Sequence, residues 1–377
     1  MKKHQWLIGL VVLAAIAGLV IWGRNRIHFD FRVFREQVAL ADWWRILLAI
    51  ACIYVGYLFR SARWALLLRH NQKVPLLSLT GTQVMGFTAV ALIGRVADPV
   101  RPYLVAKRTG LPLSTQIAVY IVERIFDFGA MAVIISLALL SIPYAETAAA
   151  TAHPGLLAHI FAPLLHRYPV LALILTRFGA LLLTLLAVLI LVVLRMSGEL
   201  AARFFEHALA PVSRNLGHSI AHKVRTFHSG LGSIRSFSDF AIAASLSLAM
   251  WALITLAYLE TVRAFTASPA LAGMTIPKCV LLMGISGSAS VVQLPVLGWF
   301  SQIAVVAAAL SGLFGASPEA ATACAATLLV VTFISVIPVG LTWAQFEHVS
   351  LRSVTVESEH AEEEMEAQDE ADAGAVT

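Results

Sequence analysis

The stretch "YIVERIFDF", residues 120–128, places three charged side chains inside a long apolar segment. Glu123, Arg124 and Asp127 are the only charged residues between positions 111 and 144. Apolar segments of about 20 residues are typical of helices that span a lipid bilayer. A charge near the middle of a bilayer costs roughly 2.5–3.5 kcal/mol on insertion scales, so three such charges require partners or a function.

The rest of the chain has the composition of a polytopic membrane protein. Of its 377 residues, 59% are hydrophobic and 13% are charged, whereas soluble domains contain about 25% charged residues. We therefore predict an all-α membrane protein with about seven to eight transmembrane helices and no sheet. The predicted apolar spans are Trp6–Trp22, Arg45–Leu68, Leu113–Ile142, Val170–Leu194, Phe240–Leu259, Ile276–Val292, Trp299–Phe314 and Ala320–Phe346.

The charges divide the chain into two regions. Residues 357–377 contain nine of the 22 acidic residues and no lysine or arginine, and the remainder has a net charge of +14. Because the acidic end has little apolar surface to bury, we predict a membrane domain over 1–350 and a disordered tail over 351–377. The basic residues lie in loops between apolar helices, which favours the positive-inside rule over nucleic-acid binding.

The basic clusters also bear on topology. Those around Arg69 and Lys107 flank the segment 76–100, which is rich in Gly, Thr and Pro. A broken or re-entrant pair of helices over Leu76–Val100 would keep both clusters in the cytoplasm, and irregular backbone is tolerated where protein buries it. The basic segment 23–36 conflicts with this orientation.

The three charges of the opening stretch are spaced for mutual contact on a helix. Glu123 and Asp127 are four residues apart, and Arg124 can pair with Asp127 one turn on. One negative charge is left over, so we expect Arg95 or Arg101 to approach, with Glu123 as the functional carboxylate. The alternatives are a structural ion cluster and a polar cavity for a charged headgroup.

The stretch "GRVADPVRPY", residues 94–103, supplies candidate anion ligands. Arg95, Asp98 and Arg101 recur at steps of three, and prolines interrupt the helix. Guanidinium groups match the geometry of phosphate oxygens. The alternative is a basic loop that anchors to lipid headgroups.

A second irregular segment occurs at 284–302, "GISGSASVVQLPVLGWFSQ". Interrupted apolar segments in corresponding positions of two halves indicate a transporter's binding site. Gln293 and Gln302 could donate hydrogen bonds to phosphate or sugar oxygens without adding charge. The alternative is close helix packing through small residues.

The stretch "GRVADPVRPYLVAKRTGLPLSTQIAVYIVERIFDF" resembles the membrane region of lysylphosphatidylglycerol synthases, the flippase-like domain family. Asp98 stands where the family usually has Glu, and Arg101, the "KRTGLP" stretch, Glu123, Arg124 and Asp127 match its first motif. The segment "QLPVLGWFSQ" is similar to its second motif. There Gln302 stands near the position of the family's Glu, which weakens any proton- or cation-coupling role.

The resemblance covers about residues 5–346 and implies a stand-alone member. Aminoacyl-transferring members have an additional C-terminal catalytic domain, whereas this chain ends in the acidic tail. The resemblance therefore implies movement of a lipid without lysine transfer, and it does not name the lipid.

The leading hypothesis is a lipid flippase in the inner membrane of a bacterium, more consistent with a transporter than an enzyme. An anionic or phosphate-bearing headgroup would bind among the eight residues Arg95, Asp98, Arg101, Glu123, Arg124, Asp127, Gln293 and Gln302. We expect no cofactor, metal or nucleic acid. The sequence is compatible with a homo-oligomer and with a cytoplasmic partner for the tail. The alternatives are an intramembrane lipid-modifying transferase and a non-catalytic membrane scaffold.

Overall fold

The computed structural model describes residues 30–94, 97–111, 113–141, 236–289 and 297–347, with a few isolated positions between 178 and 189. Across these residues the regular secondary structure is helical and contains no strand, which confirms the predicted all-α class. The predicted span Trp6–Trp22, most of Val170–Leu194 and the predicted tail lie outside the described residues.

The described helices are numbered here in chain order. They are α1 (Phe31–Ala39), α2 (Trp43–Leu68), α3 (Leu76–Ile93), α4 (Val100–Thr109), α5 (Leu113–Ser141), α6 (Phe237–Arg263), the short α7 (Pro269–Ala272), α8 (Ile276–Ala289), α9 (Leu297–Gly312), α10 (Pro318–Leu329) and α11 (Val336–Phe346). A five-residue π-helical stretch, Val330–Ile334, joins α10 to α11.

Five of these segments are long and apolar enough to cross a bilayer. They are Trp43–Leu68, Leu76–Ile93, Thr115–Ser141, Phe237–Arg263 and the composite Pro318–Phe346. Helices of 18 to 29 residues rise about 1.5 Å per residue and so match a hydrocarbon core of about 30 Å. The protein is therefore a multi-pass membrane protein.

The centre of the fold is an antiparallel pair of long helices, α2 and α6. Ion pairs join them at both ends, between Arg45 and Glu260 at 2.7 Å and between Arg69 and Asp239. Asp239 also completes a capping box with Ser236 at the start of α6, which satisfies backbone N–H groups that the first turn leaves free. The pair defines two ends of the bundle, called here the Arg69 end and the Arg45 end.

Helices α3 and α4 form an antiparallel hairpin that enters from the Arg69 end. The chain leaves α3 at Gly94, whose φ of 90° is readily adopted only by glycine. Helix α4 then returns along α3. Two contacts show this direction: Arg101 packs on Gly86, and Arg108 donates a 2.7 Å hydrogen bond to Ser78. The sequence placed the broken pair within Leu76–Val100, whereas its second arm is Val100–Thr109.

Helices α8 and α9 form a second hairpin that enters from the Arg45 end. Arg263, the last residue of α6, donates a hydrogen bond to the carbonyl of Met274, just before α8. After α9, the side chain of Glu319 in α10 accepts from the backbone N–H of Asp30, just before α1. The segments predicted as spans at 276–292 and 299–314 are thus the short arms of one hairpin.

The two halves of the chain repeat one order of elements in opposite directions. Each half has a long helix, a hairpin and another long segment, over 43–141 and 237–346. The halves also exchange partners, since α3 packs on α11 and α8 packs on α5. Glycines permit the closest approaches, because a Cβ at Gly81 would collide with Trp343 and one at Gly340 would collide with Thr88.

The basic residues of α1 lie away from the basic clusters of the hairpin. Arg32 and Arg35 are on α1 at the Arg45 end, whereas Lys107 and Arg108 are at the Arg69 end. The conflict between the segment 23–36 and the positive-inside rule therefore persists in the structure.

Candidate functional site

The charges of α5 line one buried face of that helix. Glu123 is fully buried and Asp127 is 4% exposed. Arg124 bridges them, with Nη2 3.1 Å from Glu123 Oε1 and 3.0 Å from Asp127 Oδ2. The predicted pairing of Arg124 with Asp127 one helical turn on is thus present in the structure.

Two further arginines reach these carboxylates from α2. Arg60 Nη1 lies 3.0 Å from Glu123 Oε1, and Arg63 contacts Glu123 at 2.9 Å and Asp127 at 2.7 Å. Arg63 also donates to the hydroxyl of Ser247 on α6, so it ties the cluster to the second half. Arg60 and Arg63 are 8% and 1% exposed.

No motif in the sequence assigns Arg60 and Arg63 to the site. Because Arg69 and Lys73 follow soon after them, the sequence alone indicates one basic cluster at the cytoplasmic end of α2. The available signal was their i, i+3 spacing five and eight residues before Leu68. At about 1.5 Å per residue they lie roughly 8–12 Å inside the helix end, too deep for a surface anchor.

The fourth arginine comes from the second arm of the first hairpin. Arg101 Nη2 lies 3.1 and 3.0 Å from the two carboxylate oxygens of Glu123. Its Nε and Nη2 also donate to Gln83 Oε1, at 3.0 and 2.8 Å, across the hairpin. The side chain runs over Gly86, where a Cβ would collide with it. Glycine at this position therefore lets Arg101 reach Glu123.

The cluster carries an excess of positive charge. Four guanidinium groups surround two carboxylates, which gives these six side chains a formal charge of +2, or +1 when the Asp98 carboxylate of the adjacent cavity wall is counted. The sequence predicted that one further cation, Arg95 or Arg101, would approach the leftover carboxylate, whereas three further arginines, Arg60, Arg63 and Arg101, reach Glu123 in the structure. Arg101 Nη1 is buried without a hydrogen-bond partner among the described residues. Because buried charge is stable only when paired, the excess favours a bound anion.

Aromatic rings surround the arginines. The guanidinium carbon of Arg101 lies 4.4 Å from the ring centroid of Phe87, and that of Arg60 lies 4.8 Å from it. Tyr120 lies 5.1 Å from the guanidinium carbon of Arg124. Cation–π contacts within about 6 Å stabilise a desolvated cation by roughly 2 kcal/mol or more. They help to hold the excess charge in place without neutralising it.

A cavity of about 680 Å³ lies beside the cluster, between the two halves. Arg60, Arg124 and Asp127 form part of its wall, whereas Glu123 lies behind them and does not line it. Much of the remaining wall is apolar and includes Met131, Ile135, Met250, Met283 and Phe333. The volume falls within the range of about 300–1,000 Å³ that is usual for ligand sites.

The wall contributed by the second half contains a neutral polar cluster. Gln302 Nε2 donates to Ser286 Oγ at 3.2 Å, and this hydroxyl lies 2.9 Å from the hydroxyl of Tyr258. These three residues come from α9, α8 and α6, respectively. In the repeat, these three helices correspond to α4, α3 and α2, which supply Arg101, Gln83 and Arg60, respectively.

The structure places the predicted site residues in several environments. Arg101, Glu123, Arg124 and Asp127 join one ion cluster, and Asp98 lines the adjacent cavity. Gln302 lies in the neutral cluster of the same cavity. Arg95 and Gln293 lie outside the described residues.

One of three comparisons with known proteins places the chain in a family. No curated protein and no solved structure matches it. The model of one family, described as the lysylphosphatidylglycerol synthase TM region, matches residues 6–340. This match includes both hairpins and every described residue of the ion cluster. Because it covers most of the 377 residues, the chain belongs to the lysylphosphatidylglycerol synthase TM region family.

Proposed function

We propose that this protein moves an anionic lipid across the inner membrane of a bacterium. The headgroup, bearing a phosphate, would enter the cavity between the two halves while its acyl chains stay in the bilayer. The observation that carries the proposal is the +2 charge of the buried cluster at the cavity wall. The family, which is defined by the membrane region of a lipid-modifying synthase, supports a lipid ligand.

Arg60 and Arg124 at the cavity wall have N–H groups that the carboxylates do not use. Arg60 contacts both carboxylates through Nη1 alone. Arg124 contacts them through Nη2, and its Nε has no hydrogen-bond partner among the described residues. Guanidinium groups match phosphate oxygens geometrically and hold their charge, so two of them can replace the headgroup's water.

The carboxylates position the arginines in this proposal. Glu123 is fully buried and contacts all four guanidinium groups, which fixes their side chains around one point. Its place behind the cavity wall disfavours direct contact with the headgroup. The same ion pairs argue against a transferase, because a carboxylate held by several arginines is a poor general base.

The repeat supports alternating access. The two hairpins enter from opposite ends of the bundle, and transporters with inverted repeats bind substrate where the repeats meet. The cavity lies at this junction and is lined by both halves. Rocking of one half against the other would open it to each side in turn.

A transport assay with a matched pair of variants tests the proposal. The purified chain is placed in liposomes containing fluorescent phosphatidylglycerol, and the accessibility of the headgroup to a membrane-impermeant quencher is followed. Arg60→Gln removes one wall guanidinium and leaves a cluster charge of +1, so we expect transport to fall about tenfold or more. Arg45→Gln removes an arginine from the bundle end and should leave transport within about twofold, since exposed pairs contribute little.

Equal transport by the Arg60→Gln variant and the unchanged chain would contradict the proposal. It would favour a membrane scaffold, in which the cluster serves only to hold helices together. The Arg45→Gln variant shows whether any loss comes merely from weakened packing of α2 on α6.

A further inference from the structure

The cavity has a second polar region that the phosphate does not use. Gln302 is 4% exposed and lines the cavity, and its Oε1 has no hydrogen-bond partner among the described residues. Trp251 also lines the cavity, and its Nε1 is likewise buried without a partner in the described part of the chain. Unpaired buried polar groups are costly, so an acceptor and a donor on two residues that line one cavity point to a ligand.

Counting hydrogens in the neutral cluster gives a further free donor. Gln302 Nε2 donates to Ser286 Oγ, and the hydroxyls of Ser286 and Tyr258 share one hydrogen bond. Two hydroxyl groups carry two hydrogens, and one hydrogen bond uses one of them. Among the described residues, one hydroxyl hydrogen is therefore left to donate, whichever group acts as donor in the shared bond.

We infer that the headgroup carries hydroxyl groups, as a polyol or sugar joined to the phosphate, and that these bind between Gln302 and Trp251. A hydroxyl both donates and accepts, so it satisfies Gln302 Oε1 and the free donors at once. This inference rests on the proposed function, because it assigns the remainder of the same headgroup.

The distribution of charge disfavours an ammonium group at this position. The carboxylates among the described residues of the cavity wall are Asp98 and Asp127, and both belong to the first half, where the arginines lie. Asp127 is paired with Arg60, Arg63 and Arg124. Residues of the neutral cluster carry no charge. An ammonium group would have no anionic partner among them, and the nearby excess of positive charge would repel it.

Three lipid probes separate these chemistries. Phosphatidylglycerol has a phosphodiester and a three-carbon group with two hydroxyls. Phosphatidylpropanol has the same charge and carbon count without the hydroxyls, and phosphatidylethanolamine has an ammonium group. Dissociation constants are measured for the purified full chain in detergent by native mass spectrometry. We expect phosphatidylglycerol to bind about threefold to tenfold more tightly than phosphatidylpropanol.

Two variants locate the selectivity. Trp251→Phe removes the indole N–H and keeps an aromatic ring, and Gln302→Leu removes the amide at similar size. Each should lower the glycerol-to-propanol preference to below about twofold while phosphatidylpropanol affinity stays nearly constant. The control is Trp299→Phe, because its indole donates to the carbonyl of Ala91 outside the cavity. This control should keep the full preference.

The outcomes distinguish the inference from the proposed function. Equal binding of phosphatidylglycerol and phosphatidylpropanol, or an unchanged preference in Trp251→Phe, would overturn the inference. If both phosphodiesters still bind better than phosphatidylethanolamine, the anion site remains supported. If Arg60→Gln binds all three probes like the unchanged chain, the anion site itself is wrong.

Discussion

The two halves of the molecule repeat the same helices but use different polar chemistry beside their hairpins. In the first half, Arg101 of the returning arm bonds to Gln83 of the entering arm and to a carboxylate beyond it. In the second half, Gln302 of the returning arm bonds to Ser286 of the entering arm and ends in the neutral cluster. The first half therefore holds charge and the second half holds neutral dipoles.

This difference in polar chemistry predicts a difference in rigidity between the two halves. Buried ion pairs fix helices firmly, because removal of one partner leaves an uncompensated charge that costs about 3–5 kcal/mol. A neutral hydrogen bond contributes only about 0.5–1.5 kcal/mol, so it can be exchanged for a ligand's hydroxyl at little cost. We expect the first half to be the more rigid one and the second half to be the more adaptable one.

The largest loss of stability is expected from Glu123→Gln. The change raises the charge of the six-residue cluster from +2 to +3 and leaves four guanidinium groups, three of them buried, around one carboxylate, so we expect a loss of about 3–5 kcal/mol in unfolding free energy. This loss of stability is measured by thermal unfolding of the purified chain in detergent and by the yield of folded protein. Glu260→Gln is the control in the second half, since its pair with Arg45 is partly exposed and contributes about 0–1 kcal/mol.

If Glu123→Gln folded as well as the unchanged chain but lost transport, Glu123 would be the functional carboxylate that the sequence suggested. Its role would then extend beyond positioning the arginines.

The next effect concerns coupling across helices. Arg63→Met and Asp127→Leu each break the 2.7 Å pair, whereas the double change keeps the net charge of +2. We expect the double variant to lose about 1–3 kcal/mol less unfolding free energy than the two single variants lose together. The same double-mutant cycle for Ser286→Ala and Gln302→Leu should give a coupling free energy of about 1 kcal/mol or less. Equal coupling in the two cycles would remove the contrast between the halves.

A third comparison uses one glycine in each hairpin. A Cβ at Gly86 would collide with Arg101, which is held by Gln83 and Glu123, so Gly86→Ala should cost about 1–3 kcal/mol. A Cβ at Gly284 would lie 3.7 Å from Ile135, an ordinary contact. Gly284→Ala should therefore be neutral or stabilise by up to about 1 kcal/mol. Melting temperatures in one detergent compare them, and a tolerated Gly86→Ala would show that Arg101 can move.

The smallest effect is expected from Tyr258→Phe. It removes one hydroxyl from the neutral cluster and keeps the ring, so unfolding free energy should fall by about 0.5–1.5 kcal/mol. Ser247→Ala provides the matched loss of a hydroxyl that binds Arg63 in the charged cluster, and it should cost about 1.5–3 kcal/mol. A larger cost for Tyr258→Phe than for Ser247→Ala would contradict the assignment of greater rigidity to the first half.

The membrane class of the protein and the helix that carries the charges can be predicted from local sequence patterns. Long apolar runs and low charge predict membrane helices, and the spacing of Glu123, Arg124 and Asp127 predicts one polar face, because both patterns are local. The irregular segments around Gly94 and Gln293 also indicated that each half is interrupted. The motif of the first half indicated the family that the comparison identified.

The residues that make up the site and its positive net charge follow from the packing of distant helices. Arg60 and Arg63 are about 60 positions from Glu123, and no local pattern connects them. They meet because α5 packs against both α2 and α4, and Arg101 reaches the same point because Gly86 lets α4 approach α3. Pairing of buried charges depends on distances of about 3–4 Å between helices, which a sequence specifies only through the whole fold.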